Sequence, residues 1–345
     1  VKLLAVNAVD HPGGAEVGLL RLAGRLRERG WEVTLTSPGE GRLSEAGYPW
    51  LRLDVGGLGH GEGARAVASW PRALRLAQRF DVVYLNSTVC GRLLPALRGV
   101  RSVLHVHDIV DRVPRHWASA DVVLADSQAV ADRLEGLDAH VVYCPIELDP
   151  PPVDAPWDTG PAHTDPARPV IGFVGRIEPR KGVLDLIAAG PAIRAGAPDA
   201  RIVIVGDDPW GAFPEYLAEV RAADDAVHVP WHDNAPGLMR HFDVLVAPSH
   251  QEPFGTVLSE AMAVGTPVVA TRVGGLAEVV DDGVTGRLVA PGRPDLLAAA
   301  VLDVLDRREA MGAAARRAAR RFDADAYAAR VQDLIAPPAH PPADR

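Results

Sequence analysis

The sequence predicts an α/β protein built as two doubly wound parallel sheets, and three observations carry that prediction. Short apolar runs alternate with amphipathic stretches through residues 1–150, give way to a proline-rich segment, and begin again at Val170. Three of the runs share one pattern across both halves: Asp81-Val-Val-Tyr-Leu-Asn-Ser, Asp121-Val-Val-Leu-Ala-Asp-Ser and Asp243-Val-Leu-Val-Ala-Pro-Ser. At 345 residues the chain is also too long for one small core.

In the first half, strand Val1–Asn7 leads into His11-Pro12-Gly13-Gly14. A helix starting near Ala15-Glu16 then carries Val17, Leu20, Leu22, Ala23 and Leu26 until Gly30 ends it. Further strands are expected at Glu32–Ser37, Leu51–Val55, Asp81–Ser87, Ser102–Asp108, Asp121–Ser127 and His140–Ile146. Residues 151–169, dense in proline, read as a linker between a first domain, 1–150, and a second, 170–322.

The second half alternates in the same way. Strands are expected at Val170–Arg176, Arg201–Gly206, Ala226–Pro230, Asp243–Pro248, Pro267–Thr271 and Gly286–Val289. Helices are expected from Gly182, around Phe213–Ala222 and Pro236–His241, after Gly255, and at Leu276–Val280. Helical stretches Asp295–Arg307 and Met311–Phe322 precede a last helix around Tyr327–Ile335 and a frayed tail through Pro341-Pro342. The irregular spacing excludes a repeat array.

Composition narrows the function. A net charge of −9 argues against a general nucleic-acid binder. No apolar run approaches the roughly 18–20 residues of a membrane helix. Val1-Lys2-Leu3-Leu4-Ala5-Val6 reads as a strand rather than a signal peptide, and Cys90 and Cys144 form no metal-like pair, so a cytoplasmic setting is expected.

The densest chemical signal is Ser249-His250-Gln251-Glu252-Pro253-Phe254-Gly255-Thr256-Val257-Leu258-Ser259-Glu260, between an apolar strand and a helical run. Pro253 and Gly255 suit a tight turn, and the first N–H groups of the helix then point into the loop. Glu252 in the loop and Glu260 a turn into the helix both fall near the carboxyl edge of a sheet, where open α/β folds bind ligands. A carboxylate accepts from paired sugar hydroxyls; a solvated loop glutamate and a helix-capping one are the plain alternative.

Gly172-Phe173-Val174-Gly175-Arg176-Ile177-Glu178-Pro179-Arg180-Lys181-Gly182 puts Arg176 and Lys181 at another strand's carboxyl end. Guanidinium and ammonium groups there suit a phosphate and can stabilise a departing diphosphate without a metal. His105-Val106-His107-Asp108 places two imidazoles on one strand face, with His107 nearer the carboxyl edge. They are core histidines, a cleft group or a metal pair, and no third ligand stands at a recognisable spacing. Gly13-Gly14 permits close backbone approach but is not a dinucleotide fingerprint. Asp323-Ala324-Asp325 is read as a helix start rather than a metal site, because aspartates suit a helix N-terminus.

Together these phrases resemble the Glu-x7-Glu signature and its companion loops in the retaining glycosyltransferases of family 4, bacterial nucleotide-sugar-dependent enzymes with the two-domain GT-B fold. The resemblance spans most of the chain and is stronger in the second half. It implies a hexosyl transfer with retained configuration, from a nucleotide diphosphate sugar held by the second domain to an acceptor hydroxyl held by the first. The catalytic set it implies is His107, Arg176, Lys181 and Glu252. The donor set is Gly13, Gly14, Arg176, Lys181, Glu252, Pro253, Phe254, Gly255, Thr256, Val257 and Glu260, with Glu252 by the donor sugar and Glu260 on the ribose. It implies no metal and no cofactor beyond the donor, with UDP the expected nucleotide, and a last helix, about 323–345, returning to the first domain.

The expected acceptor is an antibiotic, another small metabolite or a cell-surface glycan. Val273-Gly274-Gly275-Leu276-Ala277-Glu278 also matches a family turn beside the donor, though Glu278 equally suits a helix start. Arg72, Arg75, Arg79, Arg92, Arg98 and Arg101 make the first domain locally basic, which leaves weak peripheral membrane contact as a minor option beside solvated helix faces. The family's usual Pro-Asn-Gly turn is replaced by Tyr143-Cys144-Pro145-Ile146-Glu147. The rival readings are a sugar-nucleotide epimerase or phosphorylase on the same fold, or a non-catalytic sugar-nucleotide binder. Oligomeric state is not readable.

Overall fold

The computed structural model describes residues 1–11, 13–57, 62–157 and 168–338. Most of the expected linker, the expected frayed tail and Pro12 lie outside them. The chain forms two compact units: Val1–Pro145 joined by the segment from Ala324 onward, and Ile146–Asp323.

In the first unit the strands are β1 (Lys2–Val6), β2 (Glu32–Ser37), β3 (Trp50–Arg52), β4 (Val82–Leu85), β5 (Arg101–Val106), β6 (Val122–Ala125) and β7 (Ala139–Val141). Its helices up to this point are α1 (Gly14–Glu28), α2 (Glu62–Ala77) and the single turn α3 (Gln128–Ala131). Among the described residues the strands form one sheet, ordered β3-β2-β1-β4-β5-β6-β7, and every pairing is parallel.

Both faces are covered, which is why the strands read as unbroken apolar runs. Leu3, Ala5, Tyr84, Val103 and Leu124 point into one core; Leu4, Val6, Val83, Leu85, Leu104 and Val106 point into the other. β3 and β7 are shorter than expected. Leu53 and Val55 are buried but lie past the last paired residue, and Pro145, without an N–H, cannot extend β7.

The second unit runs β8 (Val170–Val174), α4 (Val183–Gly196), β9 (Arg201–Val205), α5 (Pro214–Arg221), β10 (Ala226–Val229), α6 (Ala235–Leu238) and β11 (Val244–Ala247). It continues with α7 (Thr256–Ala263), β12 (Val268–Thr271), α8 (Leu276–Val279), β13 (Gly286–Val289), α9 (Pro294–Asp306) and α10 (Arg308–Ala318). Its described strands form a parallel sheet ordered β10-β9-β8-β11-β12-β13. The helices expected at Pro236–His241 and Met311–Phe322 each tighten into a 3-10 turn, at Met239–His241 and Ala319–Phe322.

The last helix, α11 (Ala324–Ile335), belongs to the first unit. Tyr327, Ala328, Val331 and Ile335 enter the same core as Leu19, Leu22 and Leu26 of α1. Arg101 donates to the carbonyls of Leu334 and Ile335 at 3.1 and 3.0 Å, satisfying the free end of α11.

The repeated aspartates have a structural cause. Asp81 accepts the Lys2 N–H at 2.7 Å, Asp121 the Ser102 N–H at 2.7 Å, and Asp243 the Val170 N–H at 2.8 Å. Each carboxylate thus ties the opening of a neighbouring strand with a charge-assisted bond.

In each sheet the order of strand addition reverses once, between β1 and β4 in the first and between β8 and β11 in the second. The carboxyl ends flanking such a reversal are the ligand-binding edge of open α/β sheets.

Candidate functional site

The second unit's switch point is flanked by the loops after β8 and β11. The β8 loop carries Arg176, Glu178 and a 3-10 turn, Pro179–Lys181, closed by Gly182 at φ +65°. A Cβ on Gly182 would lie 2.1 Å from the Pro248 carbonyl oxygen, so a glycine lets the two loops meet. The β11 loop carries Ser249, His250, Gln251 and Glu252, and Gly255, at φ +94°, starts α7. The loops are stitched together by His250 N–H donating to Arg180 O at 2.8 Å and Arg180 Nη1 donating to Gln251 O at 3.1 Å.

This brings Lys181 Nζ into an ion pair with Glu252 Oε2, both side chains largely buried. Burial alone would raise the Glu252 pKa, but the charges of Lys181, Arg180 and Arg176 outweigh it and hold the carboxyl below its ordinary value. Glu178 Oε1 takes Arg180 at 2.8 Å and Arg176 at 3.3 Å. The Arg176 guanidinium also lies 4.7 Å from the ring centre of Trp210, an exposed indole. Three cations therefore face two carboxylates, leaving a surplus positive charge beside the switch point.

Of the remaining donor residues, Phe254 is buried against Phe322 at 5.4 Å between ring centres, so only its backbone is available to a ligand. Pro253, Thr256, Val257 and Glu260 are part-exposed along the loop and α7. Gly275, from the Gly-Gly turn, donates its N–H to Glu252 O at 3.1 Å and packs on Pro253.

The first unit's switch point holds a different assembly. Asn7 follows β1, Asn86 follows β4, His107 follows β5 and Asp126 follows β6. His107 Nδ1 lies 2.7 Å from Asp126 Oδ2, and its Nε2 lies 3.0 Å from Asn86 Oδ1. His105, whose ring centre is 3.9 Å from that of His107, brings Nε2 to 2.8 Å from Asp126 Oδ1, off the ideal hydrogen-bond line. Its Nδ1 meets the Tyr84 hydroxyl at 2.6 Å.

Burial depresses the His105 pKa to about 4. Burial also opposes charge on His107, but Asp126, Glu16 and Asp108 prevail and raise its pKa. Asp126 is held well below the carboxylate range, its burial cost outweighed by the two imidazoles.

The structure thus supplies the third polar partner that sequence spacing did not reveal. Asp126 stands 19 residues from His107, and parallel pairing of β5 with β6 brings them together. Two histidines and a carboxylate within 4.8 Å could in principle ligate a metal. His107 is hydrogen-bonded through both ring nitrogens and His105 through Nδ1, while His105 Nε2 and Asp126 Oδ1 face each other without hydrogen-bond geometry, so the set reads as a largely hydrogen-bonded polar cluster. Asn86 and Asp126 could have been found from the shared strand pattern, in which they occupy equivalent positions.

Glu16 was also missed: it is buried, and its carboxylate accepts the Gly13 N–H at 2.9 Å. That amide is therefore engaged within the α1 capping box, while Gly14 borders open space. Two of the six arginines of the basic stretch are likewise engaged by the fold: Arg92 donates to Gly57 O at 2.7 Å, and Arg101 caps α11.

Comparison with known proteins agrees with this geometry. A family model described as "Glycosyltransferase Family 4" matches residues 12–150, and one described as "Glycosyl transferases group 1" matches residues 161–321. A 2-deoxystreptamine N-acetyl-D-glucosaminyltransferase of Streptomyces fradiae is 30% identical over 376 residues, covering 92% of this chain and 89% of that protein. The chain belongs to glycosyltransferase family 4. A D-inositol 3-phosphate glycosyltransferase of Segniliparus rotundus is 37% identical over 232 residues, covering 61% of this chain; the match spans about half, 51%, of that relative's length.

Among solved structures, HepE of Anabaena, in complex with UDP and glucose, superposes with a TM-score of 0.77 at 24% identity, covering 96% of this chain and 98% of that one. That likeness shows the GT-B fold of the family. Among the described residues of this glycosyltransferase no helix is long and apolar enough to cross a membrane.

Proposed function

We propose that the protein transfers a hexosyl group from a nucleoside diphosphate sugar, UDP-linked, to a hydroxyl of a small-molecule or glycan acceptor, with retention at the anomeric carbon. The observation that carries this reading is the surplus positive charge of Arg176, Arg180 and Lys181 over Glu178 and Glu252 at the switch point of the second sheet. Such a set attracts a diphosphate and stabilises the charge it gains on leaving. In this reading the second unit holds the donor and the first unit the acceptor.

Arg176 and Lys181 face the diphosphate. Lys181 has three N–H donors, so pairing with Glu252 leaves others for phosphate oxygens. Glu260 takes the ribose hydroxyls, and Glu252 and the backbone from Pro253 to Val257 hold the sugar; Gly13 and Gly14 are assigned to donor binding and His107 to catalysis by the family resemblance. The bond from the anomeric carbon to the leaving phosphate oxygen breaks as the acceptor oxygen bonds on the same face, and the acceptor proton passes to the departing phosphate. No covalent glycosyl-enzyme is invoked, in contrast to retaining glycosidases with their paired carboxylates.

Family membership, and the UDP and glucose bound by the HepE relative, support the donor class. The name of the Streptomyces relative, a 2-deoxystreptamine N-acetyl-D-glucosaminyltransferase, supports a small polyhydroxylated acceptor.

The test is thermal stabilisation by a panel of nucleoside diphosphates and their sugars, with and without added magnesium, on the wild type and Glu260→Ala. A ligand in excess raises apparent stability according to its affinity. Stabilisation by UDP or a UDP-sugar that the variant loses is expected. No response to any nucleotide would overturn the reading.

A further inference from the structure

The network at the first unit's switch point has a direction, and that direction fixes a proton. The Thr36 carbonyl oxygen can only accept, and it takes Asn7 Nδ2 at 3.1 Å. Asn7 Oδ1 is therefore the acceptor for Asn86 Nδ2 at 3.0 Å. Asn86 must then present its oxygen, not its amide, to His107 Nε2. Reversing either amide would set oxygen against oxygen somewhere along the line.

From the other side, the Asp126 carboxylate faces His107 Nδ1. Both ring nitrogens of His107 thus meet acceptors. His105 is in the opposite position, because its Nδ1 meets the Tyr84 hydroxyl, which can donate, and only its Nε2 meets Asp126.

We infer that His107 is held as a doubly protonated imidazolium by Asp126 and Asn86, and so serves as a fixed cation and hydrogen-bond donor rather than as a base. The charged groups facing it agree: Asp126 after β6, Glu16 on α1 and Asp108 after β5 all favour the cation, and the neighbouring His105 takes no second charge. The side chain of His107 is 11% exposed, so a ligand hydroxyl can reach it only by sharing or displacing the Asn86 oxygen. Asp126 and Asn86 are then positioning residues. The protonation state stands on geometry alone, whereas its use in catalysis rests on the glycosyl-transfer reading above. In that reaction an imidazolium, already doubly protonated, cannot take the acceptor proton, which leaves that proton to the departing diphosphate.

Long-range nitrogen–proton correlation spectra of the 15N-labelled protein test the first part, with the His107 signals assigned by their loss in His107→Gln. At neutral pH, where an unperturbed histidine is mostly neutral, both His107 nitrogens are expected at imidazolium positions. Asp126→Asn should lower the His107 pKa by about one unit or more. Asn86→Ser, which keeps the carboxylate, should lower it less and covers the case in which Asp126→Asn does not fold. A wild-type His107 that carries a single proton at neutral pH overturns the proposal whether or not any sugar is transferred.

The second part is read from the pH profile of kcat. Activity should fall as pH rises through the spectroscopic pKa of His107, and that limb should move to lower pH with Asn86→Ser. A profile that rises through the same pKa would make His107 a base and overturn its assigned role. Absence of any transfer, with the spectra as expected, would count against the proposed reaction and leave the protonation state standing.

Discussion

In the first unit the buried carboxylate at the switch point, Asp126, meets two imidazoles, and polar contacts run on from them to Thr36 at one end and Tyr84 at the other. In the second, Glu252 meets an ammonium, with two guanidiniums close by and a second carboxylate between them. The first assembly sets one buried carboxylate against two imidazole side chains. The second sets two guanidiniums and an ammonium against two carboxylates and carries a positive excess. The same sheet topology therefore presents an edge that orients a proton in one unit and an edge that attracts an anion in the other.

The largest expected effect tests the second half of that contrast. Lys181→Ala leaves Glu252 buried without its partner, which should cost about 3 kcal/mol or more in stability. If Lys181 also faces the leaving diphosphate, kcat should fall by roughly 10²–10³-fold. Lys181→Arg should recover much of the stability, and chemical denaturation alongside transfer assays separates the two losses. Loss of stability with unchanged turnover would make the pair purely structural.

Acid separates the units next. His105 keeps its neutral, singly protonated form down to about pH 4, so its contribution is present above its unfolded value of 6.5 and is lost as pH falls through that window. The full difference is of the order of 3 kcal/mol. Asp126, depressed from 3.8, adds to the loss at lower pH. His107 works in the opposite sense: its raised pKa gives stability that is complete below 6.5 and is lost as pH rises through the folded value. In the second unit the depressed Glu252 carboxyl weakens the fold only as pH falls below 4.5. Hydrogen exchange across this range should show β5 and β6 loosening before β8 and β11; simultaneous loosening would erase the contrast.

The strand-tying aspartates should behave alike in both units. Asp243→Ala and Asp121→Ala should each cost about 1–2 kcal/mol by equilibrium unfolding, since each leaves a strand's opening N–H unanswered. Values near zero would mean that water replaces the carboxylate. Arg75→Ala marks the small end. Among the described residues Arg75 donates to Pro71 O alone, on an exposed helix face, so a change within about 0.5 kcal/mol is expected, with no effect on vesicle binding unless the basic face meets anionic lipid.

Much of the fold was legible because the strands are buried on both faces and so appear as plain apolar runs, and because glycine and proline mark their ends. β3 and β7 were over-extended because residues such as Leu53 and Ile146 are buried without belonging to the sheet, which hydrophobicity alone cannot distinguish. The second unit's groups stand in two short stretches, so Arg176, Lys181 and Glu252 could be named from local sequence, although the Lys181–Glu252 pair itself closes over 71 residues.

The network around His107 was only half legible. Two histidines two apart on a strand signal a shared face, but Asp126 and Asn86 come from neighbouring strands whose adjacency follows from sheet order. Glu16 looked like an ordinary first-turn acid, and its burial beside His107 depends on where α1 packs.

The return of α11 to the first unit has a consequence for how the chain is made. The helix that fills the core beside α1 leaves the ribosome only after every residue of Ile146–Asp323 has emerged. The later unit in sequence can therefore complete its core first, while the earlier one waits with an open face of Leu19, Leu22 and Leu26. A nascent chain stalled before Ala324 would expose that apolar surface, which makes it the natural place for a chaperone to bind.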